Sequence, residues 1–369
     1  MSIFNLPLLV DKLPECKKVL WNRIYQYSAL CGRLKLAPGG RSLAKEKFGS
    51  EAEVEEQQIM RVTNLITGEG SLFNHLRGMR PQSHRQEQDL NSLVEEHRQG
   101  CPFCSPEEHT PRDPFGRIQG KYCLTASNLA KYDEYHGLVI PREHHPLLFN
   151  RAMVEDYFEA AARWFQEVQI FDAKGRNDNS ALYPFLMWNC LWPAGSSVVH
   201  GHLQMTVTRG SHYPKVQQLR QSSLQYAQAY GSDYFGDLFA LLQALGLGWE
   251  VGETRLLVAL TPIKEKEIFI ILPPGPVTPP RLGLLGRAVC GVLDLLKETG
   301  TNSFNAAVYL PPLGGETGNW GDFPLIARLV DRGSVFNRTA DFGAMELFAA
   351  SVISSDPFAV AGLLKNLEL

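Results

Sequence analysis

One order of elements constrains this chain more than any single residue: strand, strand, helix, strand, strand, read twice. The first pass has strand character at Lys121–Thr125 and Gly137–Ile140. An amphipathic helix over 151–171 then places Met153, Tyr157, Ala161, Trp164 and Phe165 on one face, and strand-like runs follow at Tyr183–Cys190 and His202–Thr208. The second pass has strands at Arg255–Leu260 and Glu267–Leu272, a proline-initiated helix at Pro280–Thr299, strands at Phe304–Leu310 and Pro324–Asp331, and a further helix at Phe342–Ile353. Such a repeat with little identity predicts a duplicated α+β unit, antiparallel sheet packed on helices. Residues 1–50 read as an N-terminal helical extension, with Leu20, Ile24, Tyr27 and Leu30 at helical spacing before the break at Pro38-Gly39-Gly40. The first unit then covers 51–212, a helical connector 213–250, and the second unit 251–369.

Charge and composition remove several function classes. Hydrophobic residues at 44% and charged residues at 20% are globular proportions. A formal charge of -3 gives no general electrostatic attraction to nucleic acid or an anionic membrane, so neither is expected as a partner. No apolar run approaches the roughly 18–20 residues of a membrane span. The N-terminus lacks the basic and small-residue marks of a secretory signal, and a cytoplasmic location is expected. Seven cysteines, an odd number spread thinly, suit reduced thiols better than a disulfide framework. All ten histidines lie between His75 and His212, so histidine chemistry, if present, belongs to the first unit.

The densest chemical signal is Gly195-Ser196-Ser197-Val198-Val199-His200-Gly201-His202-Leu203-Gln204. On a strand, residues two apart share a face, so His200, His202 and Gln204 would form one row. A neutral imidazole is a competent nucleophile toward phosphorus. A neutral amide can donate to a phosphoryl oxygen where charge builds. The His-x-His pair alone suits a structural or metal-binding role at least as well, and the context decides.

That context resembles the histidine-triad superfamily, in its branch of galactose-1-phosphate uridylyltransferase and diadenosine tetraphosphate phosphorylase, where His-x-His-x-Gln replaces His-x-His-x-His. Asn189 and Gly195-Ser196-Ser197 stand at the family's spacing before the first histidine. Arg61-Val62-Thr63-Asn64-Leu65-Ile66-Thr67-Gly68 and Leu76-Arg77-Gly78-Met79-Arg80-Pro81 resemble its opening segment, and the distance from Pro81 to Cys101-Pro102-Phe103-Cys104 also fits. The resemblance implies an α+β fold of two histidine-triad-like halves. It implies His202 as nucleophile, forming a nucleotidyl-imidazole with His200 and Gln204 beside it, and a backbone carbonyl holding the attacking nitrogen unprotonated. Asn189, Ser196 and Ser197 would hold phosphates, and Arg77, Arg80 and Asn128 would lie on the nucleotide side. The donor would be a nucleotide sugar or a dinucleoside polyphosphate, the acceptor a phosphate-bearing molecule, and the assembly a homodimer.

The resemblance also gives Cys101, Cys104, His144 and His200 as ligands of a structural zinc, with His145 as a substitute for His144. Two thiolates and two imidazoles make a closed tetrahedral set that braces rather than activates water. The second half departs from the family. No histidine remains to bind the second metal known there, so that site is expected to be absent. In Thr339–Glu346 the sugar-contacting lysine is replaced by Ala340, although Glu346 fits, and Val352 stands for a glutamine. Galactose 1-phosphate is therefore not expected as the acceptor. A hydrolase is disfavoured because the Gln204 amide cannot titrate. A non-catalytic nucleotide-binding homologue is the third reading, suggested by the eroded second half.

Overall fold

The chain opens with helices α1 (Leu6–Asp11) and α2 (Glu15–Ile24), followed directly by strand β1 (Tyr25–Arg33). The computed structural model of the protein describes residues 1–77, 89–175, 180–314, 320–336, 345, 350–365 and 367. The expected helix through Leu30 thus ends at Ile24. From Tyr25 onward every residue of β1 pairs antiparallel with β2 (Glu56–Asn64), from Tyr25 opposite Asn64 to Arg33 opposite Glu56. Leu30 is left exposed, so the apolar residues at helical spacing share no buried face. Pairing with a distant segment overrides local propensity here. Between the two strands lie α3 (Pro38–Phe48) and α4 (Glu51–Glu55), and β3 (Gly70–Phe73) continues the sheet.

Two short helices, α5 (Leu90–Glu96) and α6 (Pro106–His109), precede the first unit proper. That unit is β4 (Cys123–Ser127), β5 (Tyr135–Pro141), α7 (Arg151–Gly175), β6 (Leu182–Cys190) and β7 (Leu203–Arg209). Then come α8 (Pro214–Tyr230), α9 (Tyr234–Ala244) and β8 (Gly248–Val251). The second unit repeats the order as β9 (Thr254–Val258), β10 (Ile268–Leu272), α10 (Pro279–Glu298), β11 (Phe304–Tyr309) and β12 (Leu325–Asp331).

The two units share one nine-stranded sheet, ordered β4-β5-β7-β6-β11-β12-β10-β9-β8. The order within one unit mirrors that within the other, meeting at β6 and β11, as a duplicated fold requires. The register at the seam sets Asn189 opposite Asn305 and Met187 opposite Ala307. Helices α7 and α10 cover one face. Val154, Tyr157, Phe158, Ala161, Trp164, Phe165 and Val168, at spacings of three and four, are the buried stripe of α7. Two glycines permit the close packing. A Cβ on Gly137 would meet the Trp164 ring at 2.7 Å, and one on Gly286 would meet Phe158 and the Val154 carbonyl at 2.9 Å.

Alternation along β6 explains where a site can be. Leu186, Trp188 and Cys190 are buried beneath the helices, whereas Phe185, Met187 and Asn189 face the other way and are half-buried. The open face around the seam is thus a trough floored by both units.

The C-terminal stretch corrects a second expectation. Ala350–Ile353 forms strand β13, parallel to β3, instead of ending a helix begun at Phe342; most of 337–349 lies outside the described residues. Helix α11 (Pro357–Leu364) follows, capped by the Asp356 carboxylate on the Phe358 N–H at 2.9 Å. The Asp-Pro start is a legible signal that the sequence reading passed over.

Candidate active site

The Cys-Pro-Phe-Cys turn, the end of β5 and the approach to β7 bring four side chains together. Cys101 Sγ, Cys104 Sγ, His144 Nδ1 and His200 Nδ1 all lie within 4.8 Å of one another. The Nδ1 atoms are 3.1 Å apart, and Cys104 Sγ is 3.3 Å from His144 and 3.6 Å from His200. Each ring is turned by its other nitrogen. His144 Nε2 donates to the Val94 carbonyl at 3.0 Å and His200 Nε2 to the Pro141 carbonyl at 2.8 Å. With both protons placed outward, two lone pairs point at each other in a buried space, an arrangement a cation resolves. Ligand edges of roughly 3.4–3.8 Å follow from tetrahedral zinc with bonds of about 2.1–2.3 Å, close to the separations found. Donation of the second ring N–H to a carbonyl is also the usual orientation of a metal-binding histidine. The donor set therefore fits a metal. Burial holds His200 neutral, lowering it to about 4. His145 is turned away, its Nε2 on Asn91 Oδ1 and its Nδ1 accepting from the Leu147 N–H.

The two motif histidines stand on the irregular approach to β7, not within the ladder, which begins at Leu203. His200 turns into the cysteine cluster. His202 is buried, and its Nδ1 donates to the carbonyl of His200 at 3.0 Å. That bond puts the ring proton on Nδ1 and the lone pair on Nε2. Burial also pushes His202 below its ordinary value. Phe103, from the cysteine turn, sets its ring edge-on to both imidazoles, 5.9 Å from His200 and 5.2 Å from His202. Between them Gly201 is tightly placed, since a Cβ there would come 3.1 Å from Pro146 Cα.

The loop before the histidines is strained. Leu191 has φ 65°, in the region L-residues avoid, and Gly195 has φ 88°. A non-glycine residue held there costs on the order of 1–3 kcal/mol. Ser196 is spent within this loop, its hydroxyl donating to the Val198 carbonyl at 2.7 Å, and Ser197 is exposed beside it.

Asn189 is one step beyond the Trp188–Leu203 pair, next to His202 across the strands. Its Oδ1 accepts from Asn305 Nδ2 at 2.7 Å, and the same Nδ2 reaches the Ala194 carbonyl at 2.9 Å. Arg332 in turn donates to Asn305 Oδ1. Gln204 faces the trough with Oε1 3.1 Å from Nε2 of His136, a fully buried residue of β5. Asn128 spends its amide locally, Nδ2 on His136 at 2.9 Å and Oδ1 on the Ala130 N–H. Arg77 is exposed on a single turn after β3, attached to the four-stranded sheet; Arg80 lies outside the described residues.

Sequence reasoning missed His136, Asn305 and Arg332. His136 lay one residue before an expected strand and could have been tested for facing Gln204. The asparagine and arginine become visible only through the β6–β11 register.

Among the described residues no helix is long and apolar enough to cross a membrane. No family model matches the chain. An uncharacterised protein of Archaeoglobus fulgidus is 26% identical over 160 residues, 42% of this chain and 46% of that one, so the chain spans under half the length of that relative. The structure is similar to an ADP-glucose phosphorylase from Arabidopsis thaliana solved with bound ADP-glucose, with TM-score 0.62 and 16% identity over 82% of this chain and 97% of that one. A GalT-like protein from the same plant gives 0.58 and 17% identity over 73% and 93%. A uridylyltransferase gives 0.56 and 16% over 82% and 96%. The chain thus shares its overall α+β fold with these structures.

Proposed function

We propose that the protein is a nucleotidyltransferase in which His202 carries a nucleoside monophosphate from a nucleotide sugar or dinucleoside polyphosphate to a phosphate-bearing acceptor. The observation that supports this most is the His202 Nδ1–His200 carbonyl bond, which leaves Nε2 with an in-plane lone pair. In the first step Nε2 forms a bond to the α-phosphorus, and the bond from that phosphorus to the leaving phosphate breaks, its electron pair going to the departing oxygen. In the second step an acceptor phosphate oxygen forms the new bond as the Nε2–phosphorus bond breaks, returning the pair to Nε2. An anionic acceptor needs no base, which suits Gln204, an amide that can donate to a phosphoryl oxygen but cannot titrate. Asn189, with its Oδ1 engaged by Asn305, has its Nδ2 to donate. Ser197 and the backbone of the strained 191–195 turn would hold the remaining oxygens, and Arg77 and Asn128 would serve the nucleotide side. On this reading 51–212 is the catalytic half, 251–369 its partner and 213–250 the link.

Cys101, Cys104, His144 and His200 would hold zinc. A bound zinc would supply a rigid brace, with no open position for substrate. His200 then serves twice, its ring toward the cluster and its carbonyl toward His202. The fold neighbours named for ADP-glucose and uridylyl chemistry are compatible with either donor base.

Intact-protein mass spectrometry after brief incubation with UDP-glucose, and separately with ADP-glucose, tests the reading. An adduct of one nucleoside monophosphate, absent in His202→Gly, is the expected result and names the base. No adduct and no turnover with either donor or with diadenosine tetraphosphate, with or without added phosphate, would overturn it.

A further inference from the structure

The smaller sheet runs β1-β2-β3-β13, so β1 has a neighbour on one side only. Its nine residues pair with β2 without a break, and no bulge turns the strand away. Among the described residues the other sheet edges are short or covered. Strands β8 and β13 have four residues each. All of β4 is buried, and the 118–120 segment bonds along it. A long edge is usually guarded by a lysine, a proline or a bulge. Tyr25-Gln26-Tyr27-Ser28-Ala29-Leu30-Cys31-Gly32-Arg33 has none of these, and Ala29, Leu30 and Cys31 are exposed.

The ladder with β2 determines which residues offer their backbone outward. Just past the two ends of β1, the Leu65 N–H donates to the Ile24 carbonyl at 2.7 Å and the Leu34 N–H to the Glu55 carbonyl at 3.0 Å. Along an antiparallel pair, residues that exchange such bonds alternate with residues that do not. Even-numbered residues of β1 therefore turn N–H and C=O toward β2. Tyr25, Tyr27, Ala29, Cys31 and Arg33 turn theirs away from it. Tyr25 spends its N–H on the Trp21 carbonyl at the end of α2. The remaining four, Tyr27, Ala29, Cys31 and Arg33, are symmetric about Leu30, whose side chain is 48% exposed.

A strand with that symmetry fits a second copy of itself. With a two-fold axis at Leu30, Tyr27 faces the partner's Arg33 and Ala29 faces the partner's Cys31. Each facing pair exchanges two bonds, about eight in all. Leu30 meets the partner's Leu30 in a non-hydrogen-bonded pair, where side chains come closest. Arg33, bridged to Glu56 at 3.2 Å, is the strand's one charge, and it faces a phenol ring instead of its own copy. No like charges are opposed. At about one hydrogen bond per 100–200 Å², eight bonds belong with roughly 800–1,600 Å² of interface, within the range of specific dimers.

We infer that β1 is a homodimer surface, two copies pairing antiparallel over Tyr27–Arg33 about a two-fold at Leu30 and joining their four-stranded sheets into one. This assembly is independent of the nucleotidyl-transfer reading, and its test reads association alone.

The test is sedimentation equilibrium of the full-length, metal-replete protein over about 1–100 μM. Wild type should sediment at twice the chain mass. Leu30→Lys sets two ammonium groups face to face at the axis and should weaken association by about tenfold or more. Because Leu30 is exposed in the single chain, the circular dichroism spectrum should stay native. Ala29→Pro removes one outward N–H and spares the ladder with β2, and it should act in the same direction. The register has its own readout. A non-hydrogen-bonded pair brings Cα atoms to about 4.5 Å, within disulfide range. In a Cys16→Ser, Cys31→Ser background with oxidised glutathione, Leu30→Cys should cross-link into a covalent dimer, whereas Ser28→Cys, which faces the partner's Gly32, should not. A wild-type monomer throughout that concentration range overturns the inference. So does a dimer that Leu30→Lys leaves intact, or a Leu30→Cys protein that does not cross-link. Should Ala29→Pro fail to fold, Leu30→Lys and Leu30→Cys carry the test.

Discussion

His202 is held by the residue two before it: its Nδ1 donates to the His200 carbonyl at 3.0 Å, while the His200 ring faces two cysteine sulfurs and a second imidazole. One residue thus couples the orientation of the candidate nucleophile to the cysteine–histidine cluster.

The first prediction separates chemistry from packing at that point. His202→Gly should abolish covalent nucleotidylation while leaving the circular dichroism spectrum native. A deletion of a buried ring still costs stability, on the order of 1–3 kcal/mol, so thermal unfolding should shift by a few degrees only. Retained adduct formation in this variant would remove His202 as nucleophile.

Metal removal tests the coupling. Cys101→Ser should reduce bound zinc to well below one equivalent by elemental analysis and lower Tm by roughly 5–10 °C. Because the His200 carbonyl moves with its ring, nucleotidylation should fall in parallel. Unchanged zinc content would overturn the ligand assignment, and lost zinc with full activity would overturn the coupling.

His136 offers a test of the amide. Its Nε2 lies 3.1 Å from Gln204 Oε1. His136→Phe keeps the bulk but removes the contact, and it should lower kcat by about tenfold with a smaller change in KM. An equal loss in KM alone, with kcat intact, would show that Gln204 needs no support from below.

Much of this fold was legible because β6, β11 and α7 each obey a period, two in the strands and 3.6 in the helix. Trp164, on the apolar face read for the 151–171 helix, is core. The misreadings share one cause: β1 and β13 are ordered by pairing with β2 and β3, distant partners that no local window contains. The site was legible in His200, His202 and the two cysteines, whose spacing is chemical. Asn305 and Arg332 were not, since their relation to Asn189 exists only across the seam.

A pH effect follows from His212, which is buried among Tyr183, Phe185, Tyr213 and Trp320 and accepts the Tyr213 N–H on Nδ1 at 2.8 Å. Burial lowers it to about 4, against about 6.5 in an unfolded chain. Between those values the unfolded state binds the extra proton. The contribution is therefore whole above pH about 6.5 and is lost as pH falls toward 4, up to about 3 kcal/mol. Denaturant titrations of wild type and His212→Phe at pH 7.5 and 4.5 should show a smaller loss in the variant. Equal losses would mean that His212 does not stay neutral in the fold.

The last prediction concerns the buried charge that joins the two sheets. Arg328 on β12 is held by Glu267 at 2.6 Å and Glu69 at 3.0 Å, and Lys215 on α8 meets Glu69 at 2.9 Å. Burial alone would raise Glu69, yet Arg328 and Lys215 outweigh it and keep that carboxyl below the usual range. Arg328→Met leaves the buried Glu267 without the guanidinium that pairs with it, and should cost about 3–5 kcal/mol by denaturant unfolding. Arg328→Lys should recover only part, because one ammonium cannot serve two carboxylates from a planar fork. The double variant Arg328→Met, Glu267→Leu removes the stranded charge together with its partner and should be more stable than Arg328→Met alone. If the double variant is instead the weaker, the pair contributes net stability beyond the cost of its own burial, and the seam between the sheets is held by charge rather than merely tolerating it.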